Sequence, residues 1–188
     1  MSRIAVVLAG GEARRMGFCD KGEALFGGRR LIDCVVGQLS NQVDEILIAG
    51  PHNYGLAFGN CPDLEDGPRG PAAGLFAGAT EITGRKSGEK GFLCVPVDAP
   101  FLPLDLFDKL RPPHGAAVAA TRSGVHPTFG YWEIGPLIEH LHTKESPSLK
   151  SLATQLGAQE VFFEDGRAFT NLNSQEDIRM AQTLINQE

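Results

Sequence analysis

The chain has 188 residues, 42% of them hydrophobic and 21% charged, with a formal net charge of −6. That length and balance suit one substantial core and a single domain over residues 1–188. The acidic total argues against a general nucleic-acid binder, which needs a basic face, yet it admits an anionic small substrate, because a local cluster can overrule the sum. The apolar run at 4–9 is too short for a signal-peptide core and stops in glycines and charges. No stretch approaches the roughly 20 apolar residues of a membrane span. Cys19, Cys34, Cys61 and Cys94 form no CxxC pair, and no His stands at zinc-ligand spacing from them. The expectation is a cytoplasmic chain with reduced thiols and neither a membrane nor a nucleic-acid partner.

Along the chain, Ile4 to Leu8 is a continuous aliphatic run suited to a strand buried on both faces. Loop signals follow from Ala9 to about Gly28. Leu31, Ile32, Val35, Val36 and Leu39 then share one helical face. Glu45 to Ala49 is a second strand, closed by Gly50-Pro51, and Asn60 to Gly70 is loop-like. Leu75, Phe76, Ala79 and Ile82 mark a helix that starts near Pro71, where proline is tolerated in the first turn. Gly91 to Val97 is a third buried strand, Ala116 to Thr121 a fourth, and His126 to Glu133 is extended. Leu149, Leu152 and Leu156 indicate another helix, and Glu160 to Phe163 another strand. Ser174 with Asp177 forms a capping-box-like start to a last helix with a buried stripe of Ile178, Ala181, Leu184 and Ile185. Alternating strands and helices imply an α/β domain with a mostly parallel sheet. Ligands in such sheets sit beyond the carboxyl ends of the strands, which directs attention to the loops after Leu8, Ala49 and Val97.

The first of these loops reads LAGGEARRMGFCDK over 8–21. Gly10 and Gly11 let backbone N–H groups approach an anion without Cβ interference. Arg14, Arg15, Lys21, Arg29 and Arg30 outnumber Glu12, Asp20 and Glu23 across residues 12–30 of an otherwise acidic chain. A phosphate site accounts for that reversal; a tight turn with solvated arginines accounts for the glycines and charges equally well. The P-loop and dinucleotide patterns both fail, because Gly17 precedes Phe18-Cys19-Asp20 and Gly10 and Gly11 are adjacent. Asp98, at the end of the third strand, is either a carboxylate placed for Mg²⁺ or a cap for the segment after it. Asn171 and Asn173, two residues apart in an extended stretch, would face one side, or serve as turn formers.

Taken together, these stretches resemble the molybdenum cofactor guanylyltransferases. The first loop is similar to their LAGGxxxRMGxDK signature, with one extra residue before the Asp. GRRLID (28–33), LEDGPRGPAAGLFAG (64–78), CVPVDAPFLP (94–103), HPTFGYW (126–132) and FTNLNSQED (169–177) match in order. The resemblance covers nearly the whole chain. It implies a three-layer α/β/α Rossmann-like fold of the nucleotide-diphospho-sugar-transferase kind. It implies transfer of GMP from GTP to the terminal phosphate of molybdenum-loaded molybdopterin, with release of pyrophosphate. By the same resemblance Leu8, Ala9, Gly10, Gly11, Lys21, Asp66 and Asp98 contact GTP, and the backbone N–H groups of Ala9 to Gly11 are expected to hold its phosphates. Asp98, with help from Asn173, holds Mg²⁺, while Asn171, Asn173 and His126 lie on the pterin side. Lys21, Arg15 and Asp98 are the catalytic candidates, and Arg122 is a candidate for the pterin phosphate. LAGG is the guanylyl spelling, where cytidylyl-transferring relatives carry LAAG. One departure is Ala49, which stands where many members have a nucleotide-contacting Asn. The alternatives are cytidylyl or other small-phosphate transfer on the same fold, and a GTP-binding regulatory module without turnover. Cofactor-delivery proteins or apo-molybdoenzymes are the implied transient partners.

Overall fold

The structure, a computed structural model, describes residues 2–10, 20–85, 88–142 and 146–185. Three aliphatic runs build its centre: Ile4–Leu8 (β1), Glu45–Ala49 (β4) and Gly91–Pro96 (β6). They are fully or almost fully buried because helices cover both sides of the sheet they join. β1 pairs in parallel with β4 on one side and with β6 on the other. Outside β4 lies the short edge strand Gly59–Cys61 (β5). Beyond β6 come Gly124–Glu133 (β8), Ala117–Thr121 (β7) and Gln159–Phe162 (β9), giving seven strands in the order β5-β4-β1-β6-β8-β7-β9. Only β8 runs antiparallel to its neighbours. This is the three-layer α/β architecture expected of the sequence.

The two side-chain faces of β1 show why helices are needed on both. Ala5 and Val7 pack into a core with Ile32, Val35 and Leu39 of Leu31–Leu39 (α1) and Leu106 and Phe107 of Leu106–Leu110 (α3). Ile4, Val6 and Leu8 face the opposite core, with Leu75 and Ile82 of Pro71–Gly84 (α2), Leu137 of Ile134–Leu141 (α4) and Leu152 of Leu149–Gln155 (α5). Helix α2 lies unusually close to the sheet. A Cβ on Gly74 would stand 2.6 Å from Leu8 Cδ2, and one on Gly78 2.8 Å from Val6 Cγ2. The glycines therefore set the helix–strand distance, and with it the position of the α2 N-terminus above the carboxyl edge of the sheet.

Some elements depart from the sequence expectation. At the end of the stretch expected to be loop and just beyond it, Leu25–Phe26 (β2) and Arg29–Arg30 (β3) form a small hairpin, and β5 replaces the start of the second expected loop. In the last helix, Gln175–Ile185 (α6), Ile178 and Ala181 are buried but Leu184 is 60% exposed, so the apolar stripe is narrower than its periodicity implies. The side chain of Ile185 lies outside the described residues. The capping box forms in modified form: Asp177 N–H donates to Ser174 Oγ at 3.1 Å, while the Asp177 carboxylate accepts from Asn173 N–H at 2.9 Å, one residue earlier than the usual partner. Cys61 and Cys94 are buried free thiols, and burial pushes the Cys61 thiol up to about 11. Cys34 is half-buried and free; Cys19 lies outside the described residues.

Candidate active site

The strand order creates one crevice that the local sequence could not reveal. From β1 the chain moves outward to β4 and β5, then returns to β6 on the other side of β1. The strands that follow β1 and β6 in sequence therefore lie on opposite sides, and the carboxyl edge between β1 and β6 is a topological switch point, where open α/β sheets bind ligands. Backbone bonds close the floor of this crevice. Val97 N–H donates to Leu8 O at 3.1 Å, Ala9 N–H to Ala49 O at 2.8 Å, and Leu172 N–H to Asp98 O at 2.8 Å.

Three side chains from distant segments meet there. Lys21 Nζ donates to Asp98 Oδ2 at 2.8 Å and to Asn173 Oδ1 at 2.7 Å. Asp98 is 4% exposed, and the Lys21 side chain is a quarter exposed, so the pair is shielded on one side and open on the other. Burying a carboxylate is costly without a cationic partner, and Lys21 supplies one. Leu172, fully buried beneath α6, anchors the segment that carries both asparagines. Asn173 Nδ2 turns back to Asn171 O at 3.4 Å, and Asn171 Oδ1 is buried with no hydrogen-bond partner among the described residues.

The site residues expected from the sequence divide into groups. Lys21, Asp98 and Asn173 come together. Leu8 and Ala9 are buried at the end of β1, and Gly10 is exposed just beyond it. One expectation needs correcting here: the Ala9 N–H is committed to the Ala49 carbonyl, so it is not a phosphate donor. Of the expected backbone trio, Gly10 remains; Gly11 and Arg15, like Arg14, lie outside the described residues. Asp66 sits on a different loop, in the exposed turn at 64–67 that precedes α2. Ala49 is buried, its Cβ directed at α2 where a Cβ on Gly74 would meet it at 3.2 Å. Its backbone, not its side chain, faces the end of β1.

The basic excess downstream of the loop is partly neutralised by local pairing. Arg30 binds Asp33 through Nε and Nη2, both at 2.8 Å, and its Nη1 donates to Glu23 at 3.2 Å and to Tyr54 O at 3.0 Å. Its hydrogen bonds hold the Asp33 carboxyl below the usual carboxylate range. Arg29 donates to Asp33 O at 3.1 Å. Both arginines brace the start of α1. His126 is also packed in place: its Nε2 lies 2.8 Å from Thr121 Oγ1, and its ring stacks on Phe169 at 5.4 Å and 22°. Burial lowers its pKa. Arg122 is exposed and pairs with exposed Glu164 at 3.8 Å.

Sequence reasoning missed Asp20 and Tyr54. Asp20 Oδ1 accepts from Gly22 N–H at 2.8 Å and from Tyr54 Oη at 2.7 Å, while Oδ2 lies 3.5 Å from His52 Nε2. Tyr54 is 5% exposed and is the only non-glycine with a positive φ, +57°, among the described residues. Such a backbone state costs about 1–3 kcal/mol and persists only where surrounding contacts over-determine it. The legible half of this contact was Asp20, inside the signature loop. Tyr54, one aromatic in a turn-rich stretch, carried no periodic signal.

The donor set also bears on a metal. Asp98 and Asn173 offer hard oxygens, and no group of three or more His, Cys, Asp or Glu side chains able to hold an ion occurs among the described residues. One carboxylate and one carboxamide fit Mg²⁺ shared with substrate phosphates and waters, not a cage made of protein alone.

A family model described as the MobA-like NTP transferase domain matches residues 5–161. A protein named molybdenum cofactor guanylyltransferase from Cereibacter sphaeroides is 34% identical over 195 aligned residues, covering all of both chains. One of the same name from Acidiphilium cryptum is 34% identical, over 95% of this chain and 93% of its own. Among solved structures, molybdopterin-guanine dinucleotide biosynthesis protein A from Archaeoglobus fulgidus superposes with a TM-score of 0.73 at 17% identity, covering 98% of this chain and all of the other. A nucleotidyl transferase from Methanothermobacter thermautotroptrophicus gives 0.72 at 18% identity, over 100% and 99%. At those identities the structural likeness speaks for the fold.

Proposed function

Because this chain belongs to the family of MobA-like NTP transferase domains, we propose that it transfers GMP from GTP to the terminal phosphate of molybdenum-loaded molybdopterin, releasing pyrophosphate and forming the guanine dinucleotide cofactor. The observation that carries this reading is the position of Lys21 Nζ between Asp98 and Asn173 at the switch point of the sheet. The attacking phosphate oxygen is already anionic, so the reaction needs no protein base. Catalysis then rests on in-line positioning and on neutralising charge as it develops.

In this proposal Lys21, with Arg15, offsets charge growing on the departing pyrophosphate. Gly10 and Gly11 offer backbone N–H groups to the phosphates, and Leu8 and Ala9 form the wall against which the nucleotide lies. Asp98 and Asn173 would hold Mg²⁺, which supplies further neutralisation of the phosphate oxygens when bound. Asp66 contributes to the nucleotide side, and Asn171, Asn173 and His126 to the pterin side. His126 would act there through the packing of Phe169 and the segment after it. The guanine preference is supported by the LAGG spelling of the loop and by the names of the full-length relatives. No helix among the described residues is long and apolar enough to cross a membrane, which agrees with a proposed cytoplasmic place of action.

The test is pyrophosphate release from GTP, CTP, ATP and UTP, each with and without molybdenum-loaded molybdopterin. Release from GTP that depends on the pterin is the expected outcome. CTP outcompeting GTP would overturn the guanylyl assignment, and tight GTP binding without pterin-dependent release would make the chain a binding module.

A further inference from the structure

We propose that Tyr54 is a positioning residue for Lys21: its hydroxyl fixes the Asp20 carboxylate, and through it the turn that aims the ammonium into the crevice. The proposal rests on the role given to Lys21 above. Asp20 and Gly22 flank Lys21, and the Gly22 N–H bonds to Asp20 Oδ1 across it at 2.8 Å. That side-chain-to-backbone closure sets the conformation of Lys21. The Lys21 carbonyl accepts from Ala24 N–H at 3.1 Å, which fixes the exit from the turn. The same Oδ1 takes the Tyr54 hydroxyl at 2.7 Å, so one oxygen joins the turn to the loop after β4, 34 residues away.

The Tyr54 side of the contact is firmly held. Its ring packs against Gly22, where a Cβ would stand only 2.6–2.8 Å from ring carbons and the hydroxyl. Its carbonyl accepts from Arg30, which is itself fixed by Asp33 and Glu23. His52 packs against the ring at 4.4 Å and reaches the other Asp20 oxygen. Burial, and then the Asp20 hydrogen bond, push the Tyr54 hydroxyl well above its ordinary pKa, so it remains a donor at working pH. A positive φ at a bulky aromatic is otherwise an unfavourable choice, and retaining one beside a functional turn fits a positioning role. Removing the hydroxyl leaves the ring and its packing in place while releasing the carboxylate that spans Lys21.

The experiment is a double-mutant cycle on pterin-dependent pyrophosphate release, run with whichever triphosphate the wild type turns over. Tyr54→Phe should lower kcat about tenfold, the effect of losing one hydrogen bond to a charged group, with KM for the nucleotide within about twofold. In a Lys21→Ala background the same substitution should cost less than about twofold, because the residue it acts through is gone. Asp20→Asn, which retains the acceptor oxygen, should keep kcat within about threefold of wild type, whereas Asp20→Ala should fall as far as Tyr54→Phe. A Tyr54→Phe enzyme with wild-type kcat, or an undiminished loss in the Lys21→Ala background, overturns the proposal. Melting curves accompany each variant; should Tyr54→Phe unfold at the assay temperature, the Asp20→Asn and Asp20→Ala pair decides. Normal turnover by Lys21→Ala, by contrast, removes the role of Lys21 itself.

Discussion

The two halves of the sheet solve different problems. In β5-β4-β1-β6 every pairing is parallel, so the carboxyl ends of β1, β4 and β6 lie on one edge. Backbone bonds between those ends hold the edge rigid, and the charged cluster of Lys21 and Asp98 sits on it. In β8-β7-β9 the antiparallel β8 breaks that alignment, and the side chains above it are mainly aromatic: Phe129, Phe163, Phe169 and the His126 ring pack edge to face or stacked. The lesson is one of division. A parallel half concentrates backbone ends and charge for phosphate chemistry. The mixed half supplies an apolar buttress for the segment that returns Asn173 to the cluster.

Variants can break or sharpen that contrast. The largest effect should come from the charged cluster. Lys21→Ala or Asp98→Ala should each lower turnover by about 10²–10³, the usual cost of removing one electrostatic donor or ion-holding group from a phosphoryl-transfer site, in steady-state pyrophosphate assays. Such a loss from a variant of the aromatic buttress, with Lys21→Ala active, would reverse the roles of the halves.

An intermediate effect should follow Gly74→Ala. The added methyl would sit 2.6 Å from Leu8 Cδ2 and 3.2 Å from Ala49 Cβ, so either buried Leu8 must turn or α2 must move away from the end of β1. Overpacking of this kind costs about 1–3 kcal/mol, readable as a lower denaturant midpoint, and KM for GTP should rise with it. A stable Gly74→Ala protein with unchanged KM would separate the helix position from the nucleotide site.

The smallest effect should be confined to the other half and to acid. Burial lowers the His126 pKa from its ordinary 6.5. The unfolded chain therefore takes up a proton at a pH where the folded one does not. The stability tied to neutral His126 is present above that value and is lost as pH falls through the folded pKa. Melting temperature should drop on moving from about pH 7.5 to about pH 5.5, and drop less in His126→Gln. Equal drops in both proteins would assign the acid sensitivity elsewhere.

Much of this was legible before any coordinates. The aliphatic runs of β1, β4 and β6 announce strands buried on both faces, α1 and α2 show their helical spacing, and Ser174 with Asp177 marks the start of α6. Lys21, Asp98 and Asn173 stand in stretches whose residue types admit phosphate and metal chemistry, and the family resemblance is what implies it. What the sequence determined by itself is local: which faces are apolar, where turns fall, and which side chains carry charge or oxygen ligands. It counted Arg29 and Arg30 in a basic excess open to a phosphate site, because charge counting ignores Asp33, Glu23 and the Tyr54 carbonyl. It gave Ala9 a free N–H because no local pattern records a partner 40 residues away. The three-residue edge strand β5 and the bond from Tyr54 to Asp20 left no periodic trace. Those were decided by tertiary structure alone. Strand order brings the ends of β1, β4 and β6 to one edge, and a hydrogen bond between loops can form only after that edge exists.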